Sequence, residues 1–207
     1  MIDAALIPLQ RRLLQPVARG LAARGISANT TTLVGFGIGL LALPALAAQA
    51  YWLALIIILI NRLLDGLDGA IARETTPSDR GAFLDIALDF LFYAAVPLGF
   101  ALADPTANAL AAAVLMAAFI GTGTSFLAFA IIAAQRGMRP AAYPTKGIFY
   151  LGGLTEGAET IGLFVLICLL PQHFSVIAYG FAIACALTTA SRLWQGWRVF
   201  VPPVEPN

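Results

Sequence analysis

Residues 65–89 read DGLDGAIARETTPSDRGAFLDIALD, and this stretch decides how the rest of the chain is understood. It contains D-x-x-D-G-x-x-A-R, then seven residues, then G-x-x-x-D-x-x-x-D. The landmarks are Asp65, Asp68, Gly69, Ala72, Arg73, Gly81, Asp85 and Asp89. Asp65 and Asp68 are three apart and Asp85 and Asp89 four apart, so on helices each pair stacks on one face. Two such helices joined by the turn around Thr75-Thr76-Pro77-Ser78 face their carboxylates across a gap. Like charges this close raise one another's pKa and do not all stay ionised without a compensating cation. Oxygen-only ligands favour a hard divalent ion such as Mg²⁺ or Mn²⁺, with phosphate oxygens completing the shell. Gly69 and Gly81 let a bulky phosphate or nucleotide approach the backbone, and Arg73 can fork onto phosphate oxygens. Solvated acids in a loop are the bland alternative, but two stacked pairs with glycines and an arginine between them disfavour it.

Outward from the motif the chain is apolar. Of 207 residues, 60% are hydrophobic and 11% charged, against about 25% charged in a typical soluble domain. An integral membrane protein follows, and the net charge of +1 gives no reason to expect nucleic acid as a partner. About 20 apolar residues cross the hydrocarbon core. Six stretches meet that need, near 30–50, 51–72, 82–103, 107–134, 148–170 and 174–194. Residues 1–25 alternate Leu6, Leu13, Leu14, Val17 and Leu21 with Gln10, Arg11, Arg12, Gln15, Arg19 and Arg24, the pattern of an amphipathic helix lying in the interface. The expected fold is therefore all-α and integral to the membrane, with six transmembrane helices (26–195), an N-terminal interfacial helix (1–25) and a C-terminal tail (196–207).

Basic residues orient it. Arg11, Arg12, Arg19 and Arg24 precede the first span, Arg73 and Arg80 follow the second, Arg136, Arg139 and Lys146 the fourth, and Arg192 and Arg198 the sixth. The opposite loops, around Gln49, Asp104-Pro105 and Pro171-Gln172-His173, carry no Lys or Arg. The positive-inside rule then places both termini and the aspartate motif on the cytoplasmic side. Arg62, inside the second span, reads as a partner of the motif acids. Cys168 and Cys185 sit in apolar runs and read as buried structural thiols. His173 is the single histidine, which leaves little material for a His-based catalytic centre.

The motif, the spans, the N-terminal helix and the Asn-x-x-Thr formed by Asn29 and Thr32 together resemble the CDP-alcohol phosphotransferases. These membrane enzymes move a phosphate-linked group from a CDP-activated donor to an alcohol. All eight signature residues are present. Ala28 stands where the family usually has Pro, and the seven residues from Glu74 to Arg80 replace its usual eight. The resemblance implies a pair of Mg²⁺ or Mn²⁺ ions held by Asp65, Asp68, Asp85 and Asp89, with Asp89 also the general base on the acceptor hydroxyl. It further implies that Asn29, Thr32, Gly69, Ala72, Arg73 and Gly81 line the CDP site, that CMP is released, and that the protein is a homodimer. The expected partners are a CDP-linked lipid donor such as CDP-diacylglycerol, a small alcohol acceptor and membrane lipids.

Arg136, Arg139 and Lys146 form a basic segment that serves topology or a phosphorylated acceptor. Glu156 and Glu159, read as about two turns into the fifth span, are candidates for acceptor recognition, for pairing with Arg62 or Lys146, or for a structural polar contact. Two rival functions fit the composition. A Mg-dependent intramembrane prenyltransferase would be expected to carry two separated aspartate-rich motifs, and a cation-coupled transporter an internal repeat. The chain shows neither.

Overall fold

A computed structural model of the chain describes residues 2–138 and 153–201, with side chains from residue 13 onward. Eight α-helices account for most of the described residues, with no strand among them. They are α1 (Ile2–Ala23), α2 (Ala28–Leu40), α3 (Ala42–Ala47), α4 (Tyr51–Glu74), α5 (Asp79–Ala103), α6 (Pro105–Gln135), α7 (Gly157–Leu169) and α8 (Phe174–Val199).

Local chemistry sets the boundaries. Gly25 takes φ 79° after α1, the left-handed conformation that glycine adopts without a Cβ penalty. Ser27 then caps α2 by accepting from the Thr30 N–H at 3.1 Å, Ser78 caps α5 through the Gly81 N–H at 3.1 Å, and Asp104 caps α6 through the Ala107 N–H at 3.0 Å. Each cap satisfies a donor that the first helical turn leaves without a partner. Thr75 to Ser78 suffices to join α4 to α5.

The core is aromatic and aliphatic, with Phe92, Phe100, Phe164, Phe174, Leu46, Ile58 and Leu115 fully buried. The Phe100 and Phe174 rings stack at 4.5 Å, and Phe164 meets Phe92 edge-on at 6.1 Å. Helix pairs α6–α8, α2–α4, α5–α6, α1–α4 and α3–α5 form the main contacts. Glycines admit some of these approaches. A Cβ at Gly99 would sit 2.7 Å from Leu46 Cβ, so α3 and α5 meet at that point only without a side chain. The outer faces are apolar as well: Leu110, Ile120, Val176, Ile183 and Trp197 are all well exposed. A surface this apolar suits lipid rather than water.

Four helical stretches are long and apolar enough to cross a membrane: Ala28–Ala47, Asp79–Ala103, Pro105–Gln135 and Pro171–Val199. Two of the expected six crossings differ. Helix α4 is 24 residues long, but Arg62, Asp65, Asp68, Arg73 and Glu74 lower its hydropathy. Of the fifth stretch, expected over 148–170, the described residues are helical only from Gly157, and the 13 residues of α7 rise roughly 20 Å at 1.5 Å each. The first crossing is also interrupted at Leu41, between α2 and α3. At the C-terminus α8 continues to Val199, so the tail begins later than residue 196.

A carboxylate cluster between two helices

Helix α4 brings Asp65 and Asp68, and α5 brings Asp85 and Asp89, to one pocket whose remaining wall is the Thr32, Gly35 and Phe36 face of α2. Carboxylate oxygens of Asp65, Asp68 and Asp85 all lie within 4.8 Å of one another. Asp68 is 5% exposed, and its Oδ2 has no hydrogen-bond partner. A buried anionic oxygen in that state is costly unless a cation completes it. Three converging carboxylates, one of them carrying an oxygen without a partner, fit a hard divalent ion.

Asp89 is placed differently. It borders the same pocket, but its Oδ1 accepts from Arg62 Nη1 at 2.8 Å. The same Nη1 lies 3.6 Å from Asp65 Oδ2. Arg62 is fixed from the other side, where its Nε donates to Asn61 Oδ1 at 2.8 Å. Asn61 Nδ2 in turn donates to Gly35 O at 2.9 Å. The guanidinium lies over the Phe92 ring at 4.7 Å and beside Tyr93 at 5.6 Å, contacts favourable to a cation. The partnership that the sequence suggested for Arg62 thus has a definite geometry. Asn61, Phe92 and Tyr93 support it and were not singled out. The available signal was the polar Asn61-Arg62 pair in an apolar run, three and four residues ahead of Asp65 and so on its face.

The other motif positions surround the cluster. Asn29 and Gly81 meet where α2 and α5 begin, and a Cβ at Gly81 would fall 2.9 Å from Asn29 Oδ1. A Cβ at Gly69 would stand 3.4 Å from Arg73 Nη1. Thr32 is buried beside Asp68, and Ala72 is half-buried one residue before the exposed Arg73.

The residues suggested for an acceptor site do not gather here. Arg136 donates to Val201 O at 3.2 Å and Phe200 O at 3.3 Å, bracing the end of α8. Arg139 and Lys146 lie outside the described residues. Glu156 and Glu159 stand at the start of α7, not two turns inside a span. They form a capping box, in which Glu159 Oε2 accepts from the Glu156 N–H at 3.2 Å. Such a box satisfies the open donors of a helix start, which accounts for two acids there. Arg192, read from sequence as a marker of topology, is 7% exposed and donates to Thr122 O at 2.9 Å.

Comparison with known proteins agrees with this geometry. A sequence model described as CDP-alcohol phosphatidyltransferase matches residues 25–192. The chain is 55% identical over 197 residues to the inner membrane protein YnjF of Escherichia coli, a match covering 95% of this chain and 96% of that one. It is 40% identical over 96 residues to an archaetidylinositol phosphate synthase of Pyrococcus horikoshii, covering 46% and 51% respectively. A crystal structure of the Mycobacterium tuberculosis phosphatidylinositol phosphate synthase with CDP-DAG bound has the same fold. Its TM-score is 0.72 at 23% identity, covering 95% of this chain and 98% of that one. The same enzyme in complex with manganese and citrate gives a TM-score of 0.69 at 22% identity, covering 94% and 92%.

Proposed function

This chain belongs to the CDP-alcohol phosphatidyltransferase family, and we propose that it transfers a phosphatidyl or similar phospho-lipid group from a CDP-linked donor to a small alcohol, releasing CMP. The single observation that carries this reading is the carboxylate cluster. Asp65, Asp68 and Asp85 converge within 4.8 Å, with Asp89 at the same pocket. Support for a CDP-linked lipid comes from the related fold that holds CDP-DAG, and support for a divalent ion from the one that holds manganese.

Asp65, Asp68 and Asp85 would hold a Mg²⁺ or Mn²⁺ ion. Such an ion supplies Lewis-acid charge where the donor's pyrophosphate becomes more negative in the transition state. Arg73 adds a guanidinium to the phosphate oxygens, and Gly69, Ala72, Gly81, Asn29 and Thr32 leave room for the cytidine and its phosphates. Asp89 takes the proton of the acceptor hydroxyl. The alcohol oxygen bonds to the lipid-side phosphorus, the bond from that phosphorus to the bridging oxygen breaks, and CMP leaves with that oxygen. No protein nucleophile is required. The N-terminal helix lies in the interface, α4 and α7 cross with the four apolar stretches, and the site faces the cytoplasm. A homodimer is the expected assembly.

The test is CMP release by purified protein in detergent, given CDP-diacylglycerol, Mg²⁺ or Mn²⁺ and a panel of alcohols, with lipid products identified by mass. Asp65→Asn and Asp89→Asn should each abolish turnover. Wild-type rates in either variant would refute the roles assigned to them.

A further inference from the structure

We propose that Arg62, braced by Asn61, is the positioning residue for the general base: it fixes where Asp89 stands relative to the other acids of the pocket. The inference rests on the transferase reading above and goes beyond it, because it gives a role in turnover to two residues outside the aspartate motif. One nitrogen joins the two helices. Arg62 Nη1 on α4 donates to Asp89 Oδ1 on α5 at 2.8 Å and lies 3.6 Å from Asp65 Oδ2. A hydrogen bond between two charged groups at that length is among the stronger and more directional that side chains make. These contacts use one oxygen of each acid, and a carboxylate has two. Asp89 also keeps 31% of its side chain exposed and borders the pocket.

Arg62 is itself held from a third helix. Its Nε donates to Asn61 Oδ1 at 2.8 Å, and Asn61 Nδ2 donates to the Gly35 carbonyl of α2 at 2.9 Å. With the amide nitrogen committed to a carbonyl, the amide oxygen is the end that receives Arg62. Asn61 is buried, and the Phe92 and Tyr93 rings flank the guanidinium. Three hydrogen bonds thus run from the α2 backbone through Asn61 and Arg62 to Asp89. Simple neutralisation of buried charge would need the arginine and an acid but no brace on the far side of the guanidinium. A brace fixes orientation, and orientation is what a base requires. An aspartate otherwise exchanges among rotamers, and a misplacement of about 1 Å costs on the order of 100-fold in rate. Arginine keeps its proton in such surroundings, so the hold on Asp89 is permanent.

The experiment separates placing the base from holding the site together. Full-length protein in detergent is assayed for CMP release from CDP-diacylglycerol, with the alcohol of the panel above that supports the fastest release. Mn²⁺ binding is followed in parallel by electron paramagnetic resonance of the free ion. In Arg62→Gln, kcat should fall about 100-fold, while KM for CDP-diacylglycerol is unchanged and Mn²⁺ binds no more weakly than in wild type. Arg62→Lys keeps the charge and a donor and should recover about tenfold over Arg62→Gln. Asn61→Ala removes only the brace and should lower kcat about tenfold. Wild-type kcat in Arg62→Gln or Asn61→Ala would overturn the inference, as would Mn²⁺ binding lost together with turnover, or Arg62→Lys no faster than Arg62→Gln. Each of these leaves the transferase reading standing. Should Arg62→Gln fail to fold, Asn61→Ala decides by the same kcat and Mn²⁺ readings. No CMP release from wild type with any alcohol would overturn both.

Discussion

Asp68 shows what function costs at a single residue. Its buried Oδ2 has no hydrogen-bond partner within the protein, and an unpaired buried carboxylate lowers stability. Asp68→Asn should therefore raise the melting temperature in detergent or leave it unchanged, while CMP release falls by a factor of at least about 100. A variant that melts lower and turns over normally would contradict both expectations. Gly39 makes the opposite case. A Cβ there would lie 2.7 Å from Asn61 Nδ2 and 3.0 Å from a Phe92 ring carbon, the two groups that hold Arg62. Gly39→Ala should destabilise the protein by about 1–3 kcal/mol and reduce turnover, although it touches no carboxylate. Thermal unfolding beside the CMP assay checks this, and an unchanged melting temperature would count against the Asn61 brace.

At the scale of elements, α4 serves two neighbours at once. Asn61, Arg62, Asp65 and Asp68 lie on the face toward the pocket, whereas Leu67, Ala70 and Ile71 pack around Ala18 of α1. Glu74 finishes that contact by accepting from Gln15 at 2.9 Å and Arg19 at 3.1 Å. The polar part is exposed, where ion pairs contribute little, so apolar packing holds α1 down. Ala18→Phe should lift α1 and speed tryptic cleavage at Arg24, whereas Glu74→Ala should leave the cleavage rate near wild type. The reverse order would show that the ion pair is the anchor. Helix α7 marks the limit of periodicity as a guide. The apolar residues 148–155 look like the first turns of a span, yet the described residues 153–156 are not helical, and Glu156 and Glu159 cap α7 at Gly157. An apolar count registers hydrophobicity and not the backbone donors that a capping box satisfies.

For the whole molecule, the prediction concerns sidedness. The native thiols Cys168 and Cys185 are buried, so an introduced cysteine reports with low background. Gln172 and Thr76 are both exposed, at opposite ends of the bundle by the expected topology. In intact cells a membrane-impermeant thiol reagent should label Gln172→Cys and spare Thr76→Cys, which becomes reactive only after permeabilisation. Labelling of Thr76→Cys from outside would invert the topology and place the carboxylate pocket on the wrong side for a cytoplasmic nucleotide.

Sequence alone determined the class and the family. Composition pointed to a membrane environment, and the spacing of four aspartates pointed to two facing helices, because charge in an apolar chain has to be compensated. It also marked Arg62 as a partner of those acids. Only the tertiary structure decided how the acids divide, with three converging on one point and the fourth paired to Arg62. It also placed Glu156 and Glu159 in a capping box at the start of α7 and Arg136 against the end of α8. That difference has a physical cause: periodicity fixes which face of a helix a side chain occupies, but a shared cation depends on the few ångströms between helices. Those distances are set by packing at Gly35, Gly39 and Gly81 against Leu64, Asn61, Phe92 and Asn29, contacts between residues far apart in the chain.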